Sequence, residues 1–262
     1  LLVLLRLLLL LVLLLPRLHI TTTTTTTTTK NSNDNTTTTT ITNRTTMMTT
    51  TKKYAEKSEL IVIAGTEITK SMPPGHANAI FVKDVNKIMN DDYMKSYLAA
   101  RKQGAFVFWN HPHWIGQRKD ASVKIYDEVK QLIDKNLLHG IEVTNERTYS
   151  DQAIQTALDH DLTMIGTSDV HDLIDWDYNI PQGGHRPVTL VFSKRKNLKD
   201  LKRSLFQGRT VVWYNNLLIG KNEWVSPLID ASLVIDSVGF YKNYDCLLYT
   251  SDAADDTPCV DL

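Results

Sequence analysis

The sequence predicts an α/β fold: most of a βα barrel, incomplete at its N-terminal end. Three observations point there. Between Lys52 and Trp224, short β-branched runs alternate with segments of helical periodicity, the pattern of parallel βα units. Glu67, His111, Glu142 and Asp169 each stand at or near the carboxyl end of a different predicted strand, where barrels gather their polar groups at one mouth. The usable body is about 170 residues, fewer than the roughly 200 to 250 a complete barrel takes, and a threonine tract occupies the place of the missing strands.

Taken in order, LIVIAGTEI (60–68) predicts the first strand of the body. Asn90 is the expected cap of a helix with Met94, Tyr97 and Leu98 on one face, and Gly104 is its stop. AFVFWN (105–110) is the next strand. Ile125, Val129, Leu132, Ile133 and Leu137 mark a second amphipathic helix that leads into the strand GIEVTN (140–145). Ser150 caps a third helix through Leu158, and LTMIGTSD (162–169) follows as a strand. VTLVF (188–192), a helix carrying Leu198, Leu201, Leu205 and Phe206, and TVVWY (210–214) complete the series. Strands this apolar need cover on both faces, which a doubly wound sheet or a barrel supplies; the shared placement of the polar residues selects the barrel.

The flanks are different in kind. Residues 1–51 are leucine-rich and then threonine-rich, a low-complexity leader expected to be disordered or artefactual. Its apolar run has the length of a secretion signal and is too short to span a bilayer, but Arg6 interrupts it and no small-residue cleavage site follows. Translation of a simple nucleotide repeat explains it equally well. A genuine signal would send the chain to the periplasm or outside; otherwise a cytoplasmic protein is expected. Residues 225–245 predict the start of a small, truncated β domain. CLLYTSDAADD (246–256) resembles a translated sequencing adapter, so 246–262 are expected to be a non-biological tail. The formal net charge is zero, which argues against binding nucleic acid through a broad basic surface. The two cysteines, Cys246 and Cys259, lie in that tail and match no metal or redox spacing.

Chemistry is carried by GTEIT with PPGH, by NHP and by GTSDVH, which contribute Glu67, His76, His111, Asp169 and His171. Oxygen and nitrogen donors without a thiolate suit Mn, Fe, Zn or Co. Asp169 and His171 are two apart and project to one side of an extended chain. A lone histidine at a strand end is usually structural, but five ionisable groups at several strand mouths carry a desolvation penalty that a metal would remove. Pro112 redirects the chain, so His113 is read as peripheral. Asn110, Glu142 and Asn145 are expected to support the ligands through hydrogen bonds, with direct ligation by Glu142 the lesser reading. Arg186 is placed either on a substrate phosphate or in solvent.

Together, GTEIT, PPGHANAIFV, GAFVFWNHP, HGIEVTN, TMIGTSDVH, GHRPVTLVF and LLIG resemble the PHP (polymerase and histidinol phosphatase) family of metal-dependent phosphoesterases, closest to its Sb-PDE type phosphodiesterases. The resemblance runs from about Lys52 to Trp224, the span expected to form the partial barrel domain. It implies a distorted seven-stranded barrel with two or three divalent ions (Mn, Zn or Fe) at its mouth. It also implies hydrolysis of phosphate esters, most readily diesters of small molecules, by a metal-bound hydroxide. In that frame Glu67 bridges ions, His76 and His111 hold one, and Asp169 and His171 serve the others; Glu67 and Asp169 carry the catalysis. The family also begins with a His-x-His strand and a second ligand-bearing strand, and neither precedes Glu67 here: His19 stands alone. The chain as written is therefore expected to hold at most one ion well and to be impaired, with amide hydrolysis, a histidinol-phosphate type monoesterase or an inactive binding module as alternatives. Oligomeric state and membrane association are not encoded in any motif found.

Overall fold

The structure, a computed structural model, describes residues 9–12, 60–171, 174–233, 235–240, 246–251 and 259–261. The threonine tract, His19 and the first residues of the expected body, 52–59, lie outside the described residues, as do 252–258 of the tail. The chain divides into two units, 1–219 and 220–262.

In the first unit the strands are β1 (Leu9–Val12), β2 (Gly65–Ile68), β3 (Ala77–Ile80), β4 (Phe106–Trp109), β5 (Gly140–Asn145), β6 (Thr148–Tyr149), β7 (Thr163–Thr167), β8 (Val188–Phe192), β9 (Thr210–Tyr214) and β10 (Leu217–Gly220). The helices are α1 (Tyr93–Lys102), α2 (Asp127–Asp134), α3 (Asp151–Asp159), α4 (Ile174–Asp177) and α5 (Leu198–Phe206). The strands pair in two ladders. One has the order β2-β3-β4-β5-β6 with β7 on the other edge of β5; the second has the order β1-β8-β9-β10.

The pairing departs from uniform parallel βα units. β4, β5 and β7 are parallel neighbours, whereas β2, β3 and β4 run antiparallel, as do β8 and β9. Strand direction depends on the connection: β2 and β3 are joined by a short turn through Pro73 and Pro74, too short for a crossover helix. The first strand is also shorter than its apolar run: it begins at Gly65, with the Ala64 carbonyl before it accepting from the Val82 N–H at 3.3 Å.

Where β7 meets the second ladder, threonine hydroxyls do the joining. Thr189 Oγ1 accepts from the Gly166 N–H and donates to the Gly166 carbonyl, both at 2.9 Å, and Thr210 Oγ1 donates to the Met164 carbonyl at 2.8 Å. A Cβ on Gly166 would lie 2.4 Å from Val212 Cγ1, so only glycine permits this approach.

The helices cover the sheet with the faces their periodicity predicts. Tyr97 and Ala100 of α1, Val129 and Leu132 of α2, Ala153 and Ala157 of α3, and Leu201 and Leu205 of α5 are all buried. Leu98, Leu198 and Phe206, expected on buried faces, are exposed at the edges of their helices. Asp92, not Asn90, caps α1 by accepting from the Met94 and Lys95 N–H groups; Asn90 instead accepts from the Asp92 N–H, one turn upstream. Gly104, in the left-handed region at φ 69°, follows the end of α1 as anticipated, and Ser150 caps α3 through the Ala153 N–H.

The second unit contains α6 (Asn222–Ser232) and a three-stranded antiparallel sheet of β11 (Ile235–Phe240), β12 (Cys246–Ser251) and β13 (Cys259–Asp261). Among the described residues, no helix is long and apolar enough to cross a membrane.

Candidate metal centre

The hairpin of β2 and β3 builds the first part of the site. Ile68 pairs with Ala77, so Glu67 and His76 flank this pair from opposite strands, and Glu67 Oε1 lies 3.1 Å from His76 Nδ1. Thr69 Oγ1 donates to the same carboxylate oxygen at 2.8 Å. β4 supplies His111. Its last ladder contacts are Trp109 with Ala77 and with Ile141, followed by a hydrogen bond from the Asn110 N–H to the His76 carbonyl at 3.0 Å. β4 then leaves β5, and β6 takes over that edge at Thr144 and Asn145.

The departure of β4 would strand the His111 N–H. Glu142, 1% exposed on β5, receives it at 2.7 Å through Oε2. The same oxygen accepts from Asn145 Nδ2 at 3.0 Å, and Thr167 Oγ1 donates to Oε1 at 2.7 Å. Burial pushes the Glu142 carboxyl up to about 8 against these donated hydrogen bonds, with the nearby Asp169 carboxylate adding a little. Glu142 thus holds the backbone beneath the His111 imidazole.

β7 delivers the remaining donors. Asp169 Oδ2 lies 3.9 Å from His111 Nε2, and Asp169 Oδ1 lies 3.9 Å from His171 Nε2. The His76 and His111 rings meet edge to face with centroids 5.1 Å apart. The five side chains therefore form one linked series, Glu67–His76–His111–Asp169–His171, and Asp169 has an imidazole neighbour on each side, His111 as well as His171. His111 and Asp169 both occupy the left-handed region, at φ 29° and 44°. Two strained non-glycine residues side by side are a feature of functional sites.

Donor chemistry fits a divalent cation: two carboxylates and three imidazoles, with no thiolate. His111 Nδ1 is buried without a hydrogen-bond partner, and burial is the main reason its imidazole is held below the ordinary histidine range, partly opposed by Asp169. Among the described residues, no three His, Cys, Asp or Glu side chains already converge as a ready cage for one ion.

Next to this series, His113 Nε2 lies 3.0 Å from Thr148 Oγ1. Asn110 is buried and its Oδ1 has no partner. Arg186 is half-buried beside Tyr178, its guanidinium pKa lowered by burial; its carbonyl lies 2.9 Å from His185 Nδ1, and among the described residues its guanidinium has no hydrogen-bond or ion-pair partner. The Tyr178 hydroxyl donates to the Glu146 carbonyl at 2.9 Å.

Two residues near the site were not singled out by sequence. Glu146, at φ 50° just past β5, has its carboxyl raised by burial and by Asp169, while His171 opposes the rise. Its position one residue beyond GIEVTN, at the same strand mouth, was the available signal. Trp114 packs its ring against both His76 and His111, with centroids 6.0 and 5.1 Å away. A tryptophan three residues after a candidate ligand, in a loop with no core to fill, was the corresponding signal.

No family model and no curated protein matches the chain. Among solved structures it is similar to a two-domain protein from Bacteroides vulgatus ATCC 8482 that contains a predicted PHP-like metal-dependent phosphoesterase, with 38% identity and a TM-score of 0.73. The match covers 80% of this chain and 60% of that protein, so the chain spans less than two thirds of its relative. The likeness in sequence and in fold supports the resemblance to PHP-like metal-dependent phosphoesterases carried by the motifs around Glu67, His76, His111, Asp169 and His171.

Proposed function

We propose that this chain is a metal-dependent phosphoester hydrolase whose preferred substrates are small phosphodiesters. The observation that carries the reading is the linked series of Glu67, His76, His111, Asp169 and His171, drawn from three separate stretches of chain to the ends of their strands. In this proposal these five residues hold the divalent ions, with Mn, Zn or Fe suited to the donors. The two ladders are taken as two arcs of a distorted PHP-type barrel, with the threonine-mediated seam between β7 and β8 as their junction.

A bound divalent ion would supply Lewis-acid polarisation of a phosphoryl oxygen and would lower the pKa of a bound water towards about 7. The remaining work falls to the chain. Glu142 fixes the His111 backbone, so the imidazole presents itself without reorganisation. Asp169 sits between two imidazoles, one carboxylate oxygen 3.9 Å from each, so a single ion could draw on all three. Arg186, charged, part-desolvated and unpaired among the described residues, donates to a non-bridging phosphate oxygen.

Manganese calorimetry together with hydrolysis of bis(p-nitrophenyl) phosphate, p-nitrophenyl phosphate and a p-nitroanilide amide tests the reading. Expected are manganese binding, chelator-sensitive turnover favouring the diester, and loss of both in Asp169→Asn with thermal stability retained. Preference for the monoester or the amide would replace the substrate class. No binding, and no change in Tm on adding manganese, would overturn the proposal. With Glu67, His76 and His111 as one three-donor set, one well-held ion and slow turnover are expected; two tightly held ions with rapid turnover would contradict that part alone.

A further inference from the structure

The phosphoester reading leaves open what the organic part of the ester touches, and the loop after β4 bears on it. Trp114 has two contacts to the candidate centre: its ring stands 5.1 Å from His111 at 66° and 6.0 Å from His76 at 47°. Yet it is 47% exposed, and Ile115 beside it is 69% exposed. A large apolar pair left in water against two candidate ligands is not core packing, since neither residue belongs to the buried clusters.

The backbone that carries the ring is also held in place. The Trp114 N–H donates to the His111 carbonyl at 2.9 Å, and the Trp114 carbonyl accepts from the Gln117 and Arg118 N–H groups at 3.1 and 3.0 Å. Gln117 Nε2 ties this turn to the Lys70 carbonyl at 3.1 Å. The buried Arg118 guanidinium bonds Asp120 and Ser122, and its other arm reaches the Tyr126 hydroxyl. A Cβ on Gly116 would sit 2.5 Å from Trp114 Cζ2, so loop backbone lies directly against the indole. Residues 111–126 contain no strand or helix, but their bonds fix the backbone that carries the half-exposed indole, so the loop-ordering cost that a ligand would otherwise meet is already met in the free protein.

Resting on the phosphoester reading, we propose that Trp114, flanked by Ile115, is a substrate shelf that receives a flat aryl or base group of the ester, and that it makes the site prefer aromatic esters over small alkyl ones. Stacking on one aromatic side chain corresponds to about a five- to hundredfold preference.

The test is calorimetric binding of phenyl phosphate and methyl phosphate to the purified chain with manganese, for wild type, Trp114→Ala and Trp114→Phe. Wild type is expected to bind phenyl phosphate at least about fivefold more tightly. Trp114→Ala should bring the ratio near one by weakening phenyl phosphate alone, and Trp114→Phe, which keeps a flat ring in an even milder change, should retain most of it. Equal affinities in wild type, or an unchanged ratio in Trp114→Ala, would overturn the shelf and leave the phosphoester reading standing. So would equal loss in the Phe and Ala variants. Binding of neither ligand by wild type would overturn the shelf, while the phosphoester reading stands or falls separately on the manganese-dependent diester assay.

Discussion

Glu142→Gln in metal-free protein should raise stability by an amount that grows with pH. Glu142 is 1% exposed, and its carboxyl is pushed from 4.5 up to about 8 by burial. Between those values the folded state keeps a proton that the unfolded state has released, so stability falls as pH rises, by about 1.4 kcal/mol per pH unit. The penalty is about 1 kcal/mol near pH 5.5, about 3 near pH 7, and levels off near about 5 above pH 8. Glutamine removes the titration and keeps the contacts: its carbonyl takes the place of Oε2 for the His111 N–H and Asn145 Nδ2, while its amide donates to Thr167 Oγ1. Urea unfolding of both proteins in chelator across this range gives the difference directly. A difference that is flat with pH, or that shrinks as pH rises, would refute the assignment of Glu142 as a buried, neutral brace for His111.

Three further outcomes follow from the packing. His139 Nδ1 accepts from the Val107 N–H at 3.0 Å, and burial lowers its pKa to about 4; this neutral-state stabilisation is complete above about pH 6.5 and is lost as pH falls towards 4, by roughly 2–3 kcal/mol. His139→Asn, which preserves an acceptor, should flatten that part of the acid-side decline in urea unfolding; an unchanged decline would exclude His139 as its source. Thr189→Val leaves both the N–H and carbonyl of Gly166 without their hydroxyl partner and should cost about 2–4 kcal/mol by denaturant titration, whereas a change below about 0.5 would mean that the seam between β7 and β8 contributes little. Gly166→Ala forces a methyl to 2.4 Å from Val212 Cγ1 and 2.6 Å from Thr144 Oγ1, and should cost about 1–3 kcal/mol or more on the same measure; a neutral effect would contradict that close approach.

The sequence was most informative where one physical requirement acted alone. AFVFW, GIEVTN, VTLVF and TVVWY are strands because continuous apolar, β-branched or aromatic runs suit burial on both faces, and the structure buries nearly all of them. Direction of pairing was not legible at β2, β3 and β4, since side-chain alternation is the same in parallel and antiparallel ladders. Leu60–Ala64 has a strand's composition, yet the strand itself begins only at Gly65. At the start of α1, Asn90 and Asp92 both have capping side chains, and composition alone does not rank them. The five candidate ligands were legible by type and by position at strand ends. That Asp169 lies between His111 and His171, and that Glu142 receives the N–H left free where β4 departs, depends on how strands meet in space. Trp114 and Glu146 stand just past strand ends, where periodicity has stopped and loop geometry decides what faces the site.

Anomalous diffraction from crystals soaked in manganese tests the central claim most directly. A peak is expected among Glu67, His76, His111, Asp169 and His171, with donor distances of about 2.0–2.4 Å. Manganese bound only elsewhere, with those five side chains retaining purely mutual contacts, would contradict it.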